Sequence, residues 1–383
     1  LKKSAHFGLA LLAPRHFQGN QMQRRQFLLR TATVSVASLH GAHAMAQNTC
    51  TPAPATTGID VVAEIKALRI TTGPYTGGYE LAPNGRLNWY FTQLGLLPIV
   101  QLLGASDLDI YIRSYLDLYL RNLTPQATID DIDFPYGRAN TAAFTKVPSD
   151  SDDSYASTFL SLAVRYVRIS GNWTWWEANK ARIKELAYRN LALTAKLSGL
   201  TSVFQAPRSQ TNSIGYLMDN CEGYRGLRDL ASLLRERSEI AEANYYDLLA
   251  TNCAEGIANR IFNTAGKAFT ASDAHAVPDS SFYPGTTCQV YPQAFGLREL
   301  SGYFDAGWAH LNSKSPGWED GRHDPYPWAI LGYTAALRGQ FAQARAKQAS
   351  IEALFATNRS LVTINELGFY LATKMVLAGH SGV

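Results

Sequence analysis

From residue 86 onward, apolar side chains recur at three- and four-residue spacing in one segment after another, with short polar breaks between them. No run alternates apolar and polar positions as a half-buried strand would. The periodicity predicts helices over approximately 86–103, 107–122, 155–169, 174–197, 218–237, 239–264, 291–304, 325–339, 341–354 and 366–377. Shorter helices are expected over 61–70 and 305–313. About twelve helices with no strand among them is an all-α fold.

The helices differ in kind as well as in place. The segments 155–169, 291–304 and 325–339 carry few charges and many small or apolar residues, as helices surrounded by protein do. Their partners are amphipathic: 174–197 holds Lys180, Arg182, Lys184, Glu185 and Arg189, and 341–354 holds Arg345, Lys347 and Glu352. Buried and amphipathic helices alternating in antiparallel pairs describe either a solenoid or a closed double ring. Closure is the expectation, because no strong sequence repeat is visible and the units are unequal in length. In such a ring the inner helices all start at one end, so function is expected just before Tyr155, Met218, Tyr291, Pro325 and Glu366.

The first 46 residues read differently. Arg24-Arg25-Gln26-Phe27-Leu28-Leu29 leads into a mild uncharged run that ends in Ala44-Met45-Ala46, the pattern of a twin-arginine export signal starting at Met22. Removing it leaves residues 47–383 as one domain, periplasmic or secreted, with the twin-arginine machinery as a transient partner. The leader holds six of the 35 basic residues and no acid, leaving 29 basic against 31 acidic residues. The basicity therefore belongs to the leader, and nothing in the remainder calls for nucleic acid. No later apolar run reaches the roughly 20 residues of a spanning helix, so no stable membrane anchor is expected.

Candidate chemistry gathers in the loops before the inner helices. Asp150-Ser151-Asp152-Asp153-Ser154-Tyr155 offers three acids where a helix N-cap needs one. Asp153 is the leading functional carboxylate, Asp150 the second, and Asp152 is expected to be solvated. In Met218-Asp219-Asn220-Cys221-Glu222, Asp219 and Glu222 share a helix face, and an enclosed face would give them a function or a cationic partner such as Arg225 or Arg228. Salt-bridging and catalysis are balanced for Glu222, while Asp219 lies nearer the mouth. Aromatic rings at Tyr155, Tyr291, Trp318 and Trp328 suit the apolar faces of sugars, and His323 and Asp324 could bind hydroxyls.

Other chemistries find less support. The cysteines Cys50, Cys221, Cys253 and Cys288 match no zinc spacing. Cys221 and Cys253 sit at similar heights on consecutive helices, where free thiols and a bridge both remain open. The few histidines after the leader form no paired metal spacing. There is no nucleophile elbow, P-loop or dinucleotide fingerprint, so neither a metal nor a cofactor is expected.

Taken with Tyr291-Pro292-Gln293-Ala294-Phe295-Gly296-Leu297 and Asp324-Pro325-Tyr326-Pro327-Trp328-Ala329, these motifs resemble the six-hairpin glycosidase superfamily over most of residues 60–380. The resemblance implies an (α/α)6 toroid with saccharide at its mouth, cleaved by an Asp/Glu pair. On that reading Asp153 and Asp219 supply the acid and the base, without an assignment between them. Two alternatives stand beside it: a non-catalytic saccharide-binding or assembly protein, and a polysaccharide lyase in which Tyr291 or His323 takes a proton beside a uronate.

Overall fold

A computed structural model describes residues 58–206 and 213–382; the leader, Cys50 and their expected roles lie outside the described residues. The described chain is an all-α toroid. Six inner helices form its central ring: α2 (Trp89–Leu96), α4 (Asp153–Ser170), α6 (Leu217–Glu236), the single turn α8 (Tyr291–Ala294), α10 (Ala329–Leu337) and α12 (Ile364–Leu377). Each touches the next, and α12 packs back on α2, so the ring closes. Outside it lie α1 (Val61–Ala67), α3 (Ser114–Asn122), α5 (Trp173–Ala187), α7 (Ile240–Gly256), α9 (Phe304–Lys314) and α11 (Phe341–Thr357). The first helix of the described residues, α1, covers their last, α12, which completes the sixth hairpin.

Sequence explains both the hairpins and their packing. Gly171, at φ 66°, ends α4 in the left-handed conformation, and the Asn172 side chain then accepts from the Trp175 N–H at 3.0 Å to start α5. Two residues are thus enough to reverse direction. Inner helices meet through small residues: a Cβ on Gly226 of α6 would lie 2.5 Å from the Ser157 carbonyl oxygen of α4. One on Gly368 of α12 would lie 2.7 Å from that of Leu94 on α2. Larger side chains at these crossings would push the ring open. The inner helix α4 is buried along nearly its whole length, while α11 buries only Ala344, Lys347 and Ile351, in line with the contrast in their charge.

Several elements differ from the periodicity. The segment 291–304 is not one helix: α8 stops after Ala294, Gly296 takes φ 72°, and a tighter helical stretch, Arg298–Tyr303, carries the chain to α9. The helix expected from 325 begins only at Ala329, because Pro325 and Pro327 precede it and Trp328 sits at φ 53°. Two short antiparallel ribbons also occur. β1 (Asp130–Asp133) pairs with β2 (Thr145–Pro148), and β3 (Phe262–Asn263) with β4 (Ala268–Phe269). The expectation of no strand is corrected by these pairs, which are too short to show a period of two.

Candidate active site

The starts of α2 and α4 are tied together by Asp131, which β1 carries to the mouth. Its carboxylate accepts from Asn88 Nδ2 at 2.6 Å, the Tyr155 hydroxyl at 3.0 Å and the Trp89 backbone N–H at 3.3 Å. Asn88 in turn caps α2 through the Phe91 N–H at 2.8 Å. Burial, reinforced by the charge of Asp150, pushes the Asp131 carboxyl up to about 7. This network holds helix starts in place, and Tyr155 belongs to it.

Beside it, α4 and α6 bring buried acids together. Asp153 is fully buried; its carboxyl accepts from Thr201 Oγ1 at 2.8 Å and from the Ser154 N–H at 2.9 Å. Burial first, then the neighbouring Asp219, raises its pKa well above the ordinary range, with Glu222 adding to the effect. Asp219 and Glu222 are each about 1% exposed, and Glu222 accepts a hydrogen bond from the Tyr90 hydroxyl of α2. The ion pairs of the two candidate arginines include Arg228 with Asp247 and Glu299, at 2.9 and 2.5 Å, and Arg225 with Asp229 at 2.9 Å. Cys221 and Cys253 are buried free thiols.

On the mouth side of Tyr90 lies a narrow cleft whose walls include Tyr90, Met218, Tyr283, Tyr291, Tyr326 and Trp328. Trp328 is in the left-handed region at φ 53°, ψ 55°, which a bulky residue rarely adopts. Its ring stacks on Tyr283 with centroids 4.8 Å apart and meets Tyr326 edge-on at 5.4 Å. The polar groups lining this cleft include Asn365 and Glu366, at the start of α12. Asn365 Nδ2 donates to the Tyr326 hydroxyl at 2.9 Å and to Glu366 Oε1 at 3.1 Å, and the Ala329 N–H donates to Glu366 Oε2. Burial raises the Glu366 carboxyl to about 7, against the pull of the Ala329 N–H, Tyr326, Lys347 and Asn365. An acid that keeps its proton near neutrality and faces an aromatic cleft can donate that proton to a bound oxygen.

The mouth is expected at the starts of the inner helices, yet Glu366 is not among the candidate residues that the motifs single out. The available signal was an Asn-Glu pair in the first turn of an otherwise apolar helix, with no neighbouring acids to draw attention. Tyr291 and Trp328 line the cleft. Trp318 does not: it is fully buried, edge-on to Trp308 at 5.7 Å, so it packs the hairpin and cannot stack on a ligand. Tyr155 is about 2% exposed and committed to Asp131, which removes it from any sugar-stacking role. His323 lies on the outside, bonded to the Pro316 carbonyl at 2.9 Å and stacked on Phe282 at 5.2 Å. Asp324 accepts from the Tyr326 N–H at 2.9 Å and so shapes the turn leading to Trp328. Asp152, expected in solvent, is about 3% exposed; its carboxylate accepts from the Gln205 N–H at 3.0 Å, anchoring the loop after α5. Asp150 is half-buried and acts electrostatically on Asp131.

No family model matches the chain, and no curated protein matches it by sequence. Solved structures do match in fold. A rhamnosidase from Klebsiella oxytoca with rhamnose bound aligns with a TM-score of 0.52 at 12% identity, over 77% of this chain and 53% of the rhamnosidase. The chain thus spans about half the length of that enzyme. A glycosidase variant aligns with a TM-score of 0.56 at 13% identity, over 84% of this chain and 96% of its own. At these identities the likeness is one of fold, and the fold shared with these glycosidases is the helical toroid described above.

Proposed function

We propose that the protein is a glycoside hydrolase exported to the bacterial periplasm or beyond, acting on a saccharide bound at the mouth of the toroid. The observation that carries this reading is Glu366, a buried carboxyl raised to about 7 within a cleft of Tyr90, Tyr283, Tyr291, Tyr326 and Trp328. Glu366 donates a proton to the leaving glycosidic oxygen, and Asp219 activates the attacking water. Asp153 holds the charge balance beside Asp219. Its own carboxyl is raised by burial and by the charge of Asp219.

The rings supply stacking faces for the sugar. No Arg or Lys is among the described residues lining the cleft, which fits a neutral sugar better than the uronate a lyase requires. The rhamnosidase, whose structure holds rhamnose, offers a neutral deoxysugar as the first substrate to try. Export rests on the twin arginines, the apolar run and Ala44-Met45-Ala46.

The test is a screen of neutral and uronate-containing glycans, with reducing ends and near-ultraviolet absorbance read together. Release of reducing ends without absorbance, lost in E366Q and D219N while saccharide binding persists, is the expected result. An absorbing unsaturated product would replace hydrolysis by elimination. Binding without turnover on any glycan would make the protein a saccharide-binding one.

A further inference from the structure

The axis of the toroid has a second opening, at the end opposite the mouth. Here the inner helices finish and the hairpin turns are short. A cavity of about 230 Å³ runs between α2, α4, α6, α8, α10 and α12. Along α4 it is lined by Thr158, Ser161, Val164, Arg165, Arg168 and Ile169, one helix face extending over roughly 16 Å at 1.5 Å per residue. Leu94 and Phe369 line both this cavity and the mouth cleft, and so form the floor between them.

The wall is mainly apolar, with Leu97, Ala294, Phe295, Tyr333 and Ala372 contributing, and its charged groups are Arg165, Arg168 and Arg225 together with the carboxylates of Glu222 and Asp229. Arg168 is bound to Glu236 at 2.5 Å, and Arg225 Nε donates to both oxygens of Asp229 at 2.9 and 3.0 Å. Arg165 differs from both. Its guanidinium donates to the Leu97 carbonyl at 3.1 Å, and no carboxylate among the described residues comes within ion-pair distance of it. Burial, together with the adjacent Arg225, lowers its pKa from the usual arginine range, against the pull of Asp229 and Tyr333. Arg165 is half-buried, an anion reaching it would offset that partial desolvation, and its planar fork suits the two oxygens of a carboxylate or phosphate.

We propose that this cavity is a second ligand site, distinct from the mouth, that takes a small organic anion. The anionic group sits on Arg165 beside Arg225, and an apolar body lies against Phe295, Tyr333 and Phe369. The proposal does not depend on the hydrolase reading, because it is tested by binding alone. It joins a charge-selective group to an enclosed apolar wall, the usual composition of a small-molecule site.

Calorimetric titration of the full chain with 4-phenylbutyrate, phenyl phosphate and the neutral 4-phenylbutyramide tests it. At least one anion is expected to bind, with the amide weaker by about tenfold or more. Whichever of carboxylate and phosphate binds more tightly names the headgroup class. R165M should lose the preference for the anion, R165K should retain part of it, and A372L, which fills the wall, should weaken all three ligands. Thermal melts of each variant confirm that it folds. If R165M does not fold, the R165K and A372L titrations decide. The proposal is overturned if neither anion binds the parent protein, if the amide binds as well as the anions, or if a folded R165M keeps the preference.

Discussion

The two ends of the inner ring hold their charged groups differently. At the mouth, where inner helices begin, lie the carboxyl groups of Asp153, Asp219 and Glu366; toward the far end, Arg168 and Arg225 are paired with Glu236 and Asp229, Arg165 bonds a carbonyl, and Glu222 lines the cavity from the mouth side. Helix dipoles account for the sign of the acidic end, since anions are favoured at N-termini. They do not account for its depth. A surface acid would satisfy the dipole equally well, yet Asp153 and Glu366 are buried and hold raised pKa values, with hydroxyl and N–H donors as their hydrogen-bond partners. The mouth therefore accepts a desolvation cost that capping does not require, and such sites are where proton transfer is arranged.

The largest effect expected from breaking this contrast is at Glu366. E366Q keeps the shape and removes the proton, and should lower kcat by about 100- to 10,000-fold with little change in KM, as steady-state product release would show. Stability should respond differently at the same positions. Asp131 and Glu366 have folded-state values of about 7 because of burial, above the roughly 4 of an unfolded carboxyl. The folded chain thus binds protons that the unfolded chain has released. Their stabilising contribution is complete below about pH 4 and is lost as the pH rises to about 7. D131N should remove its share of that slope, as much as ~4 kcal/mol, when denaturant midpoints at pH 4 and 7 are compared with the parent.

The ring itself should be sensitive where it is tightest. G226A places a methyl group against the Ser157 carbonyl and should cost about 2 kcal/mol in chemical denaturation. The smallest effects should separate two tryptophans that look alike in sequence. W328A should weaken saccharide binding by about 1 kcal/mol, whereas W318F should leave binding intact and lower the melting temperature. Equal binding losses in the two variants would show that the mouth extends to Trp318.

That last pair shows how far the sequence was legible. Helical periodicity, and the contrast between the charge-poor α4 and the charged α11, led directly to a closed double ring, because burial on all sides leaves a compositional trace. The spacing of Asp219 and Glu222 on one face, and their nearness to Asp153 at adjacent helix starts, followed from the same geometry. Depth did not follow. Trp318 and Trp328 share one loop-rich stretch, and only the packing of Trp308 against one and Tyr283 against the other separates them. Asp152 looked like a solvated member of an acidic run because its partner, the Gln205 N–H, is 53 residues away. Glu366 escaped selection since its partners are Ala329, Tyr326 and Asn365, two of them contributed by the distant start of α10 and the loop before it. The break at Gly296 was hidden because apolar periodicity continues across it.

The most direct test of the central claim is the pH dependence of kcat/KM on a cleaved glycan, for the parent protein and for E366Q. If Glu366 is the proton donor, the parent rate falls as pH rises through about 7, and E366Q loses both the rate and that limb. A profile that stays flat through pH 7, or an E366Q variant that keeps the parent's rate and limb, would contradict the account.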